Sequence, residues 1–374
     1  MGDVIEKFQK RINPEKENIP LWSLTVKDGL IPKNAQYNRS FLVKKNDFFN
    51  LLPDSYLIYN PMNITLGAID INNSGKKIAV SGYYIILKIK SNYSEEFVLN
   101  NLVSRKSINL YQRFSTGSLT EKQRLQYPAF SKIKKLFPDF TEQKKIGSLL
   151  SALNKQITLQ QRKVNDLNSM KSALLQDVFP NTQGIKKIKL STQEWNLQKI
   201  SSIFKERNQR NKNGMLLSVS ISKGIYPFSE NDRKDNSSND KSNYKEVKIN
   251  DLAYNSMRMW QGAVGVSKYN GIVSPAYTVI TPKKEENPNF YYYYFKNKRM
   301  LFNFRQHSQG LTSDTWNLKF PLFEKILIQV PSDKEEEQRV SSLFKQIDKS
   351  IELSKIQIKK LTSIKQFLLQ NMFI

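Results

Sequence analysis

Ile146 to Phe179 reads IGSLLSALNKQITLQQRKVNDLNSMKSALLQDVF, and Val340 to Phe373 reads VSSLFKQIDKSIELSKIQIKKLTSIKQFLLQNMF. The two stretches align without a gap at an offset of 194 residues, and twelve of the 34 pairs are identical. Among these are Leu149/Leu343, Ile157/Ile351, Leu167/Leu361 and the Leu-Leu-Gln triplets at 174–176 and 368–370. From Glu142 to Phe179 there is no proline and a single glycine, Gly147. The run predicts one long helix, roughly 57 Å at ~1.5 Å per residue. Along it Leu150, Leu153, Ile157, Gln160, Val164, Leu167, Lys171, Leu174 and Val178 recur with 3,4 spacing. Their matches are Phe344, Ile347, Ile351, Ser354, Ile358, Leu361, Lys365, Leu368 and Met372. A narrow stripe of period 3.5 is a coiled-coil seam. Each stripe alone would be wet, so the two are expected to pack on each other. Polar residues interrupt both at equivalent places, Gln160/Ser354 and Lys171/Lys365, where they can fix register. Ordinary bundle helices are the plainer alternative.

The repeat extends upstream. Ser23–Gly29 answers Ser218–Gly224, and Pro32 answers Pro227. Tyr59–Met62 answers Tyr254–Met257, and Gly67-Ala68 answers Gly262-Ala263. Tyr127-Pro128 and Phe130 answer Phe320-Pro321 and Phe323. The chain therefore reads as domain (1–137), helix (138–180), domain (181–331), helix (332–374). The fold class expected is α+β: two mixed α/β domains in a pseudo-twofold repeat, separated by two long antiparallel helices. Antiparallel pairing would put the domains at opposite ends. Strands are predicted at Asp251–Met257, Ala263–Val266, Ile272–Thr281 and Lys325–Val330, and a helix over Asn289–Arg299 entered at Pro288. Its run of tyrosines is expected to be a buried face rather than a base-stacking platform. The lead-in Ser191–Trp195 has no counterpart before Met1, so the first domain is expected to start short.

The formal charge is +26 with a pI near 9.8. Residues 1–140 carry +9 and residues 188–330 carry +10, a similar excess in each domain. Such a balance suits a polyanionic partner, although a generally Lys-rich composition would give it too. The absence of cysteine excludes disulfides, thiolate zinc sites and a Cys nucleophile. Met1–Arg11 has no apolar core, and the longest apolar run is Tyr83–Leu87, far short of a membrane span. A cytoplasmic, membrane-free chain is expected.

Catalytic motifs are missing. There is no Gly-x4-Gly-Lys-Ser/Thr phosphate loop. Asn287-Pro-Asn-Phe290 resembles the Asn-Pro-Pro-Tyr/Phe motif of adenine methyltransferases but has the wrong third residue, and no Gly-rich cofactor loop accompanies it. Pro138-Asp139 with Glu142 and Lys144 is too compact to be a nuclease metal signature. His307 is the sole histidine. No catalytic residue, metal ligand or cofactor of its own is assigned to the chain.

Side chains that read DNA are expected in loops rich in Arg, Lys, Asn, Gln, Ser and Thr. In the first domain these are Asn38, Arg39, Ser40, Asn63, Thr65, Arg113, Ser115 and Thr116. In the second they are Ser222, Lys223, Arg258, Trp260, Gln261, Lys268, Arg305, Ser308 and Gln309. The plain alternative for each is a solvated surface or turn residue. The loop Asn208–Asn213 and the stretch Glu230–Asn243 could close on DNA or be merely flexible.

The segments Pro138–Phe179 and Pro331–Phe373 each have Glu-Gln near the start and Leu-Leu-Gln-x-x-Phe near the end. They resemble the two conserved helical regions of type I restriction-modification specificity subunits. Tyr254–Thr281 (YNSMRMWQGAVGVSKYNGIVSPAYTVIT) is similar to that family's target recognition domain. The resemblance implies two domains reading the two parts of a split double-stranded DNA sequence. It implies helices that set the gap; major-groove half-sites on one DNA face lie roughly 34–36 Å apart, so helices of the expected length are long enough to space two readers by one turn or more. It also implies two modification subunits that bring S-adenosylmethionine and methylate adenine, and restriction subunits that use ATP and Mg. Two other readings remain: a piece of a self-contained restriction-methylation enzyme, and a helical scaffold whose charge is incidental.

Overall fold

The computed structural model describes residues 1–33, 49–117, 123–180, 185–188, 194–230, 240–283 and 286–373. They form two compact units, Met1–Arg162 with Lys355–Ile374, and Lys163–Ser354. The division falls inside both long helices, Phe140–Asp177 and Lys334–Asn371. Each unit thus holds one mixed domain and a stretch of each helix.

In the first unit, four strands rich in Ile and Leu form an antiparallel sheet. Their spatial order is Ile5–Phe8, Ile85–Ile89, Leu57–Tyr59, Ile69–Ile71. Side chains alternate across a strand, so one sheet serves two cores. Leu57, Tyr59, Ile85, Leu87 and Ile89 face the helices Glu95–Leu102, Arg105–Phe114 and Tyr127–Ser131, where Tyr59 stacks on Phe130 at 5.1 Å. Ile58 and Ile86 face the other way, against Leu24, Leu52, Ile78 and Val80. The long helices close the first of these cores. Ile146 and Leu150 enter it from one helix and Phe373 from beyond the end of the other, with Leu153, Leu368, Leu369 and Met372 packed alongside. Gly147 permits this approach: a Cβ there would lie 3.0 Å from the Phe97 backbone nitrogen.

The second unit repeats the plan. Its sheet runs Phe204–Glu206, Tyr277–Pro282, Leu252–Asn255, Val264–Val266, again antiparallel throughout and in the same sequence-to-space order. Tyr254 lies over Phe323 at 4.9 Å, as Tyr59 does over Phe130. A second sheet, Gly224–Pro227, Met215–Ser220, Gly271–Val273, Lys245–Val247, contains the parallel pair Met215–Ser220/Gly271–Val273. The helix-side core is aromatic: Phe290, Tyr291, Tyr294 and Phe295 are all buried. Phe179 stacks on Tyr294 at 4.7 Å, and Phe344 lies parallel to Phe179 at 6.1 Å. Lys171 Nζ meets Asp348 Oδ1. As one chain advances from 171 to 179, its neighbour retreats from 348 to 344, which is antiparallel pairing.

The stripe read from the sequence is the shielded face of each helix. Between residues 155 and 173 only Ile157, Gln160, Val164, Leu167 and Lys171 escape full exposure. All nine positions from Phe344 to Met372 are likewise buried or half-buried. The ends of the seam have a further task, since Leu150 and Phe344 sit inside the domain cores.

Two elements differ from expectation. The strand read over Ile272–Thr281 is two strands, Gly271–Val273 and Tyr277–Pro282, because Pro275 lacks the N–H a ladder needs. The helix read over Asn289–Arg299 stops at Phe295, and Asn297 caps a new helix, Lys298–His307, by accepting from the Arg299 N–H at 2.8 Å. Trp195–Lys199 pairs with Leu327–Pro331. Among the described residues no helix is long and apolar enough to cross a membrane.

Candidate DNA interface

Each domain has the same corner. In the second unit the strand Leu252–Asn255 runs into a short 3-10 turn, Met259–Gln261, ended by Gly262 at φ 85°. In the first, Leu57–Tyr59 leads to Ile64–Leu66, ended by Gly67 at φ 95°. Glycine is required there because the left-handed region opposes a Cβ. The turn lies beside the second domain helix, Arg105–Phe114 or Lys298–His307, so residues distant in sequence share one rim.

In the second unit Arg258, Trp260 and Gln261 stand on the 3-10 turn, and Arg305, Ser308 and Gln309 at or just past the end of the helix. Trp316 joins them. Its ring meets Trp260 edge-on at 5.1 Å, and the Arg305 guanidinium lies over it at 4.9 Å. Arg258 reaches Asp314 at 4.0 Å, and Trp260 Nε1 donates to the Met257 carbonyl at 3.1 Å. Ser308 is occupied locally, donating to the Phe304 carbonyl at 2.7 Å. Sequence reading passed over Trp316; the available signal was a tryptophan in an otherwise polar loop.

Ser222 and Lys223 are exposed in the hairpin turn between Met215–Ser220 and Gly224–Pro227. Lys296 tethers this turn by donating to the Ile221 carbonyl at 2.7 Å. Burial, then the nearby Lys171, lowers the Lys296 ammonium to about 8. Lys223 itself lies over the Tyr226 ring at 4.9 Å. Lys268 is not gathered with the rest. It follows Val264–Val266, at the opposite end of that hairpin from the 3-10 turn. Arg207, in the loop leading to Asn208–Asn213, is held inward by Asp251 at 2.7 Å.

In the first unit Asn63 precedes the 3-10 turn and Thr65 lies within it. Arg113 is in the last turn of its helix. Ser115 donates to the Tyr111 carbonyl at 2.6 Å, and Thr116 bridges to Arg124. Asn38, Arg39 and Ser40 lie outside the described residues, as do residues 231–239 of the polar stretch. Among the described residues no group of three or more His, Asp or Glu side chains is arranged to hold a metal ion. The rim offers guanidinium, amide, hydroxyl and aromatic groups, which can bind phosphates and base edges.

Residues 192–363 match the family described as the type I restriction modification DNA specificity domain. No curated protein matches the chain. Among solved structures, the S subunit of a type-I restriction-modification system from M. genitalium is 11% identical, aligning over 100% of this chain and 94% of its own, with a TM-score of 0.64. The HsdS subunit from Thermoanaerobacter tengcongensis is 13% identical, aligning over 100% and 95%, with a TM-score of 0.45. The first of these shows a shared fold. The specificity domain is matched in the second half of the chain, and the sheet order of that half is repeated in the first.

Proposed function

We propose that this chain is a non-catalytic DNA specificity subunit of a type I restriction-modification system and reads a split double-stranded target, one part with each mixed domain. One observation carries the reading: the same corner, built by the same elements, occurs twice and carries largely different side chains each time. A covalent pseudo-dimer needs no palindrome, because its halves are free to diverge. The two continuous 38-residue helices set the gap between the parts read. They also dock two modification subunits carrying S-adenosylmethionine, joined by restriction subunits using ATP and Mg.

Methylome sequencing of cells carrying this chain with its partners tests the reading. A bipartite methylated motif is expected, and exchanging residues 181–331 for another domain should change one part only. Adding one heptad to each helix should widen the gap by about three base pairs, since seven residues add roughly 10 Å. A motif without a gap, or one indifferent to the domain exchange, would refute it. So would methyl transfer from labelled S-adenosylmethionine by the purified chain alone.

A further inference from the structure

The loop after helix Lys298–His307 is tightly built. Gln309 and Asn317 pair across its neck, N–H to carbonyl in both directions, at 3.0 and 2.8 Å. Inside, the Thr315 N–H donates to the Thr312 carbonyl at 3.0 Å, and the Thr312 N–H to Thr315 Oγ1 at 3.1 Å. Gly310 has φ 140°, and a Cβ there would meet the Thr315 carbonyl oxygen at 2.6 Å. Trp316 anchors the loop between Trp260 and Arg305. Just beyond the neck of this ordered frame Leu311 is 101% exposed. Its neighbours are polar: Gln309, Thr312, Ser313, Asp314. Covering this leucine with an apolar group of a partner would remove its side chain from water at no cost in ordering the loop, which is already built.

The first half carries the same neck and neck glycine around a different sequence. Thr116 and Arg124 pair across a neck of equal length, and Gly117 has φ 129°. The residues between the necks are Gly117-Ser-Leu-Thr-Glu-Lys-Gln123 and Gly310-Leu-Thr-Ser-Asp-Thr-Trp316. Shared necks and glycines around different intervening sequences suit two readers of different DNA sequences. Arg258 and Arg305 beside the loop supply cationic groups for flanking phosphates.

We propose that Leu311 is a specificity-determining residue of the second domain that contacts a thymine 5-methyl group in the major groove. That methyl is the apolar mark by which this groove distinguishes T·A from the other pairs. The inference rests on the DNA-reading function proposed above and names one of its contacts.

The 374-residue chain, with its partners, is titrated against duplexes of the methylated motif in which each thymine in turn is replaced by deoxyuridine. The wild type should lose about fourfold in affinity at one thymine in the part read by residues 181–331, the size expected for one methyl removed from apolar contact. Leu311→Ala, at a fully exposed position, should lose a similar factor on the unmodified duplex and be indifferent to that replacement. Two results overturn the inference alone: no single deoxyuridine weakens the wild type, or Leu311→Ala responds to it as the wild type does. Loss of partner-subunit binding with unchanged DNA affinity overturns it too, and marks Leu311 as a protein contact. Absence of salt-dependent affinity for any duplex would sink the DNA-reading function together with it.

Discussion

Replacing Phe344 by alanine should weaken the second unit and leave the first intact. The ring is 0% exposed, stacks on Tyr293 at 4.9 Å and lies parallel to Phe179 at 6.1 Å. Removing a buried Phe side chain costs about 3–5 kcal/mol in lost transfer energy and cavity formation. A domain's whole stability is about 5–15 kcal/mol. Because the chain has two units, one melting curve is a poor measure. Amide hydrogen exchange resolves them. Protection in Pro288–Phe295 and Tyr277–Pro282 should fall by about two to three and a half orders of magnitude, at ~1.4 kcal/mol per tenfold. Protection in Leu57–Tyr59 and Ile85–Ile89 should stay. Leu353→Ala, on the same helix but 57% exposed, is the control, expected within about 0.5 kcal/mol of wild type. A fall below tenfold in the second unit, or an equal fall in both, would refute the view that this seam residue is a core residue of one domain.

Gly147→Ala should destabilise the first unit by about 1–3 kcal/mol through overpacking, despite a helix-propensity gain of about 1 kcal/mol, because the new methyl meets the Phe97 backbone and Ser94 Oγ. Exchange in Glu95–Leu102 checks the sign. Burial holds the Glu337 carboxyl above its ordinary range, partly offset by Lys334. A raised folded-state value means that stability is lost as pH climbs from the unfolded-state value through the folded one. The melting advantage of Glu337→Gln over wild type should therefore grow between pH 4 and pH 7; a shrinking one would show the carboxylate to be net stabilising. Arg305→Ala should lower the slope of log affinity against log salt by about 0.9 if Arg305 binds a phosphate, and leave it unchanged otherwise.

The duplication, the two long helices and their shielded stripe were legible because each rests on periodicity, and periodicity is local. Leu150 and Phe344 belong to that stripe, but nothing in a 3,4 pattern tells a seam position from one that also plugs a domain core. The rim of the second domain was legible only in part. Arg258, Trp260, Arg305 and Gln309 were chosen by residue type. Their convergence on Trp316 depends on the 3-10 turn and the helix end meeting across some fifty residues of chain, which no local pattern encodes. Residue type does not separate places either: Lys268, an exposed lysine at the far end of the hairpin, looks the same in sequence as one on the rim.

Where the halves agree and where they differ follows from what each position must supply. The N–H of the residue that caps the first domain helix needs a buried acceptor. Gln143 Oε1 accepts it from Ser94 at 3.1 Å, and Glu337 Oε2 accepts it from Asn287 at 3.3 Å. An amide and a carboxylate serve equally as acceptors, so the atom is retained while the residue changes, and Lys334 and Tyr291 arrive to satisfy the extra charge and lone pairs. At the rim the requirement is reversed. Gly67, Gly262, Gly117 and Gly310 hold backbone conformations that only glycine takes easily, so the frame is fixed while its side chains are free. A fold that pins the backbone with glycine and leaves the exposed positions unconstrained can change what it reads without changing how it folds. Linking two such folds in one chain lets each half change alone.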